Sequence, residues 1–146
     1  MTEIGFYHLT RSTLAQALPR LLARTLAAGQ RALVLGKSPE ALDALSVALW
    51  AHQDWLPHGT AADGDADLQP IWLSSDPEAL NGARYVFLVE EAEAGRLDGF
   101  DRVFALFDGN DPAAVEAARE RWKAAKAAGH ALAYWQQTET GWQKKA

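Results

Sequence analysis

The chain has 146 residues, a formal net charge of -5 and no cysteine, and 49% of its residues are hydrophobic. This length and composition predict one globular domain over residues 1–146, and the lack of cysteine excludes disulfides and thiolate metal sites. There is no signal-peptide pattern and no apolar run long enough to span a membrane, and an acidic chain is expected to bind nucleic acid directly only weakly. We therefore expect a cytoplasmic protein, with residues 137–146 forming a loosely ordered tail.

Strand and helix signals alternate along the first half of the chain. The run GFYHL predicts a first strand. Thr13, with Gln16 three residues later, resembles a capping box at the start of a helix whose leucines recur at helical spacing. Pro19 lies either in the first turn of this helix or at a kink. RALVL predicts a second strand, and Ser38 followed by Pro39 predicts the start of a second helix.

The second half continues the alternation after a loop rich in aspartate and glycine, predicted over residues 54–67. The runs PIWL, RYVFLV and RVFALF predict strands, with the polar stretch EEAEAGRLDGF as a loop or helical turn between the last two. A long helix is predicted from about Pro112 to Ala128, and HALAYWQQ predicts a closing strand. This order predicts an α/β fold, a Rossmann-like three-layer sandwich with a mostly parallel central sheet.

Catalytic and phosphate-binding motifs are weak in this sequence. No glycine-rich dinucleotide motif follows the first strand, and Gly36-Lys37-Ser38 lacks the upstream glycine of a P-loop. His8 and Lys37, near predicted strand ends, are the candidates for a small enzyme or a nucleotide- or phosphometabolite-binding protein. A hydrogen-bonded structural histidine and a loop lysine are the favoured interpretations. We expect no catalytic residue, no metal and no cofactor.

The long helix near the end of the chain distributes its side chains unevenly. Alanines form one face, interrupted by Arg121. The other side carries a basic stripe, which is three cations around a tryptophan with a valine one turn earlier: Arg119, Trp122, Lys123, Lys126 and Val115. This geometry places Trp122 off the alanine face that best fits the core. The stripe suits an acidic peptide with an apolar anchor, or a terminal carboxylate, whereas helix geometry alone favours a solvated basic face with the tryptophan half-buried at the helix edge.

Seven segments in order carry a family resemblance over nearly the whole chain. They are FYHL, GQRALVL, Leu49-Trp50, the run from Trp55 to Gly59, QPIWL, Asn81 and ARERWKAAKAAGH. Together they resemble the chi subunit of bacterial DNA polymerase III, a clamp-loader accessory subunit.

The resemblance implies a non-catalytic accessory subunit of the DNA polymerase III holoenzyme, located in the cytoplasm and associated with the nucleoid through the replisome. Its implied partners are the psi subunit and the acidic C-terminal tail of single-stranded DNA-binding protein, so that it links the clamp loader to coated single-stranded DNA. A helicase-like protein competing with psi is a further candidate partner. The family motif for tail binding falls on Arg119, Trp122 and Lys123, whereas Lys126 and Val115 come from helix geometry.

The psi-facing motif of the family corresponds here to Trp55, Leu56, Pro57 and His58, with Trp50 nearby. A core-capping role beneath the loop is the favoured interpretation of Trp50, and His58 is expected to fix the loop by hydrogen bonds. The chain departs from the family pattern at Ser46, where the family often has aspartate.

Overall fold

The computed structural model describes residues 2–52, 55–90, 92, 93, 95, 97 and 99–146. The helices are α1 (Leu14–Ala27), α2 (Pro39–Ala51) and α3 (Pro112–Ala127), with a 3-10 turn at Ala66–Leu68. The strands are β1 (Glu3–Leu9), β2 (Ala32–Leu35), β3 (His58–Thr60), β4 (Ile71–Ser74), β5 (Tyr85–Leu88), β6 (Arg102–Asp108), β7 (Ala131–Gln137) and β8 (Trp142–Lys144).

All eight of these strands form one sheet, in the order β3-β4-β2-β5-β6-β1-β7-β8. Every neighbouring pair is parallel except β7 and β8, which are antiparallel. Helices α1, α2 and α3 connect β1 to β2, β2 to β3 and β6 to β7, which are parallel strands that are not neighbours in the sheet. These crossovers cover both faces of the sheet, and each face has its own buried core. The predicted Rossmann-like sandwich with a mostly parallel sheet is confirmed.

The two faces of the sheet bury two separate cores. Successive residues of a strand point to opposite faces, so in β1 Phe6 enters the core beneath α3, and Tyr7 enters the core beneath α1 and α2. The same alternation in β7 sends Tyr134 toward α3 and Trp135 toward α1. This alternation decides which aromatic side chains meet at each surface described below.

Local start signals act as predicted in α1. The backbone N–H of Gln16 donates to Oγ1 of Thr13 at 3.3 Å, and the backbone N–H of Thr13 donates to Oε1 of Gln16 at 2.9 Å, which completes the capping box. Pro19 lies inside α1 and is buried, and the helix continues past it to Ala27.

Two segments differ from the sequence prediction, and a third lies partly outside the described residues. The predicted loop over residues 54–67 contains β3, which is too short to show a period of two and is defined by its pairing with β4. Residues 142–144, within the predicted tail, pair with β7 as strand β8. In the polar stretch before β6, Glu91, Ala94, Arg96 and Asp98 lie outside the described residues, so that loop prediction is only partly addressed.

Candidate protein-binding surfaces

Helix α3 is placed across the sheet by signals at both of its ends. Asp111 caps its first turn, where the Ala113 N–H donates to the Asp111 carboxylate at 3.0 Å. Gly129, with φ of 83°, follows the helix in the left-handed conformation that a glycine adopts without strain. Ala114 and Ala118 are buried against the sheet, so the alanine face allows a close approach of helix and strands.

Trp122 is half-buried at the edge of the core, which confirms the interpretation favoured from helix geometry. Its indole makes edge contacts with Phe6 of β1 at 5.4 Å and with Tyr134 of β7 at 5.8 Å between ring centroids. The sequence did not show which residues support the indole, because these two rings come from strands outside the helix. Trp122 is therefore partly buried and held from below.

A hydrogen bond fixes the tyrosine under Trp122. The Tyr134 hydroxyl lies 2.8 Å from Nδ1 of His8. Burial raises the pKa of Tyr134, and the positive charge of Arg119 partly opposes that shift. The imidazole of His8 in turn fills the space beside Gly109, where a Cβ would overlap it. His8 therefore has a structural role in supporting the α3 surface.

The cations of the basic stripe are exposed, and Arg119 and Lys123 pair with carboxylates of their own helix. Arg119 lies 3.9 Å from Glu116, and Lys123 lies 3.5 Å from Glu120. Exposed pairs of this type contribute little free energy, so an incoming carboxylate can replace them. Lys126 is exposed one turn farther on, whereas Val115 is partly buried against the core.

Arg121 interrupts the alanine face because it reaches the segment before β6. Its guanidinium lies 3.8 Å from the Glu93 carboxylate, and its side chain is only 24% exposed. The side chain lines an apolar cavity of about 280 Å³ between α3 and the sheet. An acidic partner thus accounts for its position, which the sequence left unexplained.

A second surface, the tryptophan patch, consists of Val47, Trp50 and Trp55. Their exposed fractions are 69%, 58% and 80%. The interpretation of Trp50 as a core cap is therefore wrong, since Leu42, Leu45 and Leu49 already fill the inner face of α2. Val47 was missed, although its i, i+3 spacing from Trp50 places both on one helix face.

Further exposed apolar side chains lie at the end of the sheet where β3, β4 and β5 begin. Leu68 and Leu80 are also exposed and precede β4 and β5, just as Trp55 precedes β3. Because these strands are parallel, their amino-terminal ends lie at the same end of the sheet. Several exposed large apolar side chains at one end of a sheet are typical of a protein interface.

His58 fixes its loop by hydrogen bonds, as the sequence predicted, and it also contacts the tryptophan patch. Its Nδ1 donates to the Leu56 carbonyl oxygen at 2.8 Å, and its Nε2 lies 2.8 Å from the Ser46 hydroxyl. Its ring contacts the Trp50 indole at 4.1 Å between centroids. Leu56 and His58 are buried, so their role is to position this surface. Trp50 and Trp55 expose their side chains and form the surface itself. Ser46 itself supplies a hydrogen-bond partner for the histidine.

A separate cavity lies at the carboxyl ends of β1 and β6. Helices α1 and α3 leave these neighbouring strands on opposite faces, which creates the crevice where α/β proteins commonly bind ligands. Its volume is about 420 Å³, and its lining includes the side chains of Glu90, Asp108 and Asp111. Neither His8 nor Lys37 lines it, and three carboxylates disfavour a phosphate ligand.

The fold and these surfaces define an α/β domain with exposed aromatic and basic surfaces suited to protein contacts. The family model described as DNA polymerase III chi subunit, HolC, matches residues 1–133 of the chain. The chain therefore belongs to the DNA polymerase III chi subunit family, whose members are replication accessory proteins. No curated protein matches the chain. None of the helices in the described part of the chain is long and apolar enough to cross a membrane.

Proposed function

We propose that this chain is a non-catalytic adaptor of the DNA polymerase III holoenzyme with two protein partners. The basic stripe binds the acidic C-terminal tail of single-stranded DNA-binding protein, and the tryptophan patch binds the psi subunit of the clamp loader. The observation that carries the proposal is the seating of Trp122 on Phe6 and Tyr134, between exposed Arg119 and Lys123.

This seating prepares the stripe for a peptide with an apolar end. Packing restricts the indole before the ligand arrives, so binding orders fewer side chains and loses less free energy to conformational entropy. Arg119 and Lys123 flank it with donors for carboxylates, and charge-assisted hydrogen bonds are the stronger ones. Their present partners, Glu116 and Glu120, are exposed and weakly held.

An acidic protein and an acidic peptide repel at long range, so the attraction must be local. Charges farther apart than about 8 Å are largely screened at physiological salt. The peptide then interacts mainly with the nearby cations of the stripe. Affinity for one tail is expected to be modest, and several tails on one oligomeric partner raise the effective concentration.

The tryptophan patch supports the assignment of the psi partner. Tryptophans are enriched among the residues that dominate interface energetics, and Trp55 is 80% exposed. His58, which is buried and hydrogen-bonded to the partly buried Ser46, contacts the Trp50 ring and restricts its position. A helicase-like partner for the same patch would appear as competition with psi.

The test is fluorescence anisotropy with a labelled peptide that matches the tail of the cognate single-stranded DNA-binding protein. Arg119→Ala and Trp122→Ala are each expected to weaken binding at least about tenfold, from the loss of a charge-assisted bond or an apolar contact. Lys37→Ala is the matched control, an exposed cation outside the stripe. A peptide with an amidated carboxyl end measures the contribution of the terminal charge.

We expect the wild type to bind the peptide with an affinity that falls as salt concentration rises. Both stripe variants should bind much more weakly, while their circular dichroism spectra show that they remain folded. Equal binding by the wild type, Arg119→Ala and Trp122→Ala would remove the stripe from the proposal. A titration with purified psi, followed by size-exclusion chromatography, tests the second partner independently.

A further inference from the structure

A second group of aromatic and basic side chains lies on the opposite face of the sheet from α3. Tyr7, Trp135 and Trp142 line a cavity of about 250 Å³ between α1 and the strands. The rings of Tyr7 and Trp135 are nearly parallel, with an interplanar angle of 13°, and Trp142 meets Tyr7 edge-on at 5.2 Å. Both tryptophans are only partly buried, so the cluster presents aromatic surface to solvent.

Arginines from two elements border these rings. Arg24 of α1 and Arg102 of β6 line the same cavity. The guanidinium of Arg102 lies 4.6 Å from the centre of the Phe104 ring, a cation–π contact that holds it in place. The α1 sequence LAQALPRLLARTLA contains no acidic residue, so the helix contributes only positive charge.

The basic surface extends into an adjoining groove. This groove has a volume of about 440 Å³, shares Arg24 and Trp142 with the cavity, and adds Arg11 and Arg20. Lys144 pairs with Trp135 in the β7–β8 register, so its side chain emerges on the same face. Cavity and groove together form the arginine–aromatic groove.

Two carboxylates oppose this positive charge. Glu139 lies 3.3 Å from Arg11 and offsets it. Glu3 pairs with Arg102 in the β1–β6 register and marks one end of the groove. Arg20, Arg24 and Lys144 remain exposed along its length, so the surface is locally basic although the chain carries a net charge of -5.

We propose that the arginine–aromatic groove binds a short stretch of single-stranded nucleic acid. Such binders combine a cationic path for the phosphates with aromatic rings on which bases stack. Both components are present here, with Arg20, Arg24 and Lys144 for the backbone and Trp142 and Trp135 for the bases. An acidic peptide would use the cations but has no need of two indoles lining the same cavity.

This proposal revises the expectation, drawn from net charge, that direct nucleic-acid binding is weak. Net charge averages over the whole chain, whereas the groove gathers cations from α1, β6 and β8 within one surface. It is independent of the basic stripe, since the sheet separates the two surfaces. One molecule can then hold a tail of single-stranded DNA-binding protein on one face and an exposed strand on the other.

The test is anisotropy of a labelled oligothymidine of about a dozen nucleotides, a length within the range of known single-strand sites. Arg20→Gln and Arg24→Gln are each expected to weaken binding several-fold. The logarithm of the binding constant should fall with the logarithm of salt concentration with a slope near -2, as for about three phosphate contacts. Arg119→Ala on α3 is the matched control and should bind the oligonucleotide as the wild type does.

Base stacking is measured separately with an abasic oligonucleotide of the same length. Trp142→Ala should weaken binding of oligothymidine and leave the abasic strand nearly unaffected. Since Trp142 also belongs to β8, circular dichroism checks its fold, and the exposed Arg20 and Arg24 variants keep the test independent of it.

Three results would overturn the proposal. The first is no anisotropy change in low salt at protein concentrations of hundreds of micromolar. The second is unchanged binding by both arginine variants. The third is equally tight binding of a polyglutamate peptide, which would make the groove a general site for acidic chains.

Discussion

Tyr134 and His8 form a hydrogen bond of 2.8 Å at the centre of the surface that seats Trp122. The bond joins β7 to the carboxyl end of β1, and Tyr134 in turn meets Trp122 of α3 at 5.8 Å between ring centroids. Residues of β1, more than 100 positions away in the chain, and of β7, which follows α3, thus converge on one tryptophan. The exposed edge of Trp122 depends on residues that it does not adjoin in the chain.

Substitutions at Tyr134 separate the hydrogen bond from the packing. Tyr134→Phe keeps the ring and loses the bond to His8, so the free energy of unfolding should fall by about 1 kcal/mol while tail-peptide affinity stays within about twofold. Tyr134→Ala also removes the support under Trp122, and peptide affinity should fall several-fold. Urea denaturation and peptide anisotropy measure the two effects. A folded Tyr134→Ala protein with wild-type affinity would show that Trp122 needs no such support.

Gly109 is expected to tolerate no side chain. A Cβ at this position overlaps the His8 imidazole and approaches the Leu9 carbonyl oxygen to 2.6 Å. Gly109→Ala should therefore lower the free energy of unfolding by about 1–3 kcal/mol, as overpacking commonly does. Gly99→Ala is the matched control, because nothing lies within 4 Å of a Cβ there. Similar unfolding midpoints for the two variants would argue against the close fit around His8.

Ser46 is expected to stabilise the base of the tryptophan patch. Ser46→Ala leaves Nε2 of the buried His58 without its partner, which should cost about 1–3 kcal/mol in unfolding free energy. Ser46→Asp, the residue expected here from the family resemblance, supplies a carboxylate in place of the hydroxyl and should recover part of that loss. Ser75→Ala, at an exposed position, serves as the control. Stability of Ser46→Ala equal to that of this control would contradict the role of the hydrogen bond.

The tryptophan patch should be dispensable for folding and required for psi binding. Trp55→Ala should change the unfolding free energy by less than about 0.5 kcal/mol, because the side chain is exposed. The same change should weaken psi binding by about 2 kcal/mol, or roughly thirtyfold, if Trp55 is a hot spot. Isothermal titration calorimetry measures the affinity. Trp122→Ala is the reciprocal control, which should keep psi and lose the tail peptide.

Alkaline pH should destabilise the protein through Tyr7. Burial raises the pKa of its phenol, and the charge of Arg102 opposes the shift only partly. A raised pKa in the folded state means that the unfolded chain loses this proton first, so stability is complete below about pH 10 and falls above it. Tyr7→Phe should reduce the slope of unfolding free energy against pH in that range. An unchanged slope would show that the phenol of Tyr7 is not shifted in the folded state.

The sequence by itself determined the alternation of strands and helices, and with it the parallel sheet. It also determined the capping box at Thr13 and the helix start at Ser38, because these depend on side chains within four residues of each other. The basic stripe was readable for the same reason, since positions on one helix have fixed relative angles. The short strands β3 and β8 were not, because pairing with a distant partner defines them.

Only the tertiary structure decided what each surface contains. Helical spacing placed Trp122 at the edge of the alanine face, and only the structure identified Phe6 and Tyr134 as the rings that support it. Strand order brought Arg24 and Arg102, far apart in the chain, to one aromatic cluster. The periodicity of a helix or strand determines the relative directions of side chains on that one element. Which side chains of different elements come into contact depends on strand order and burial. The physical reason is that such contacts form only when the helices pack against the two faces of the assembled sheet.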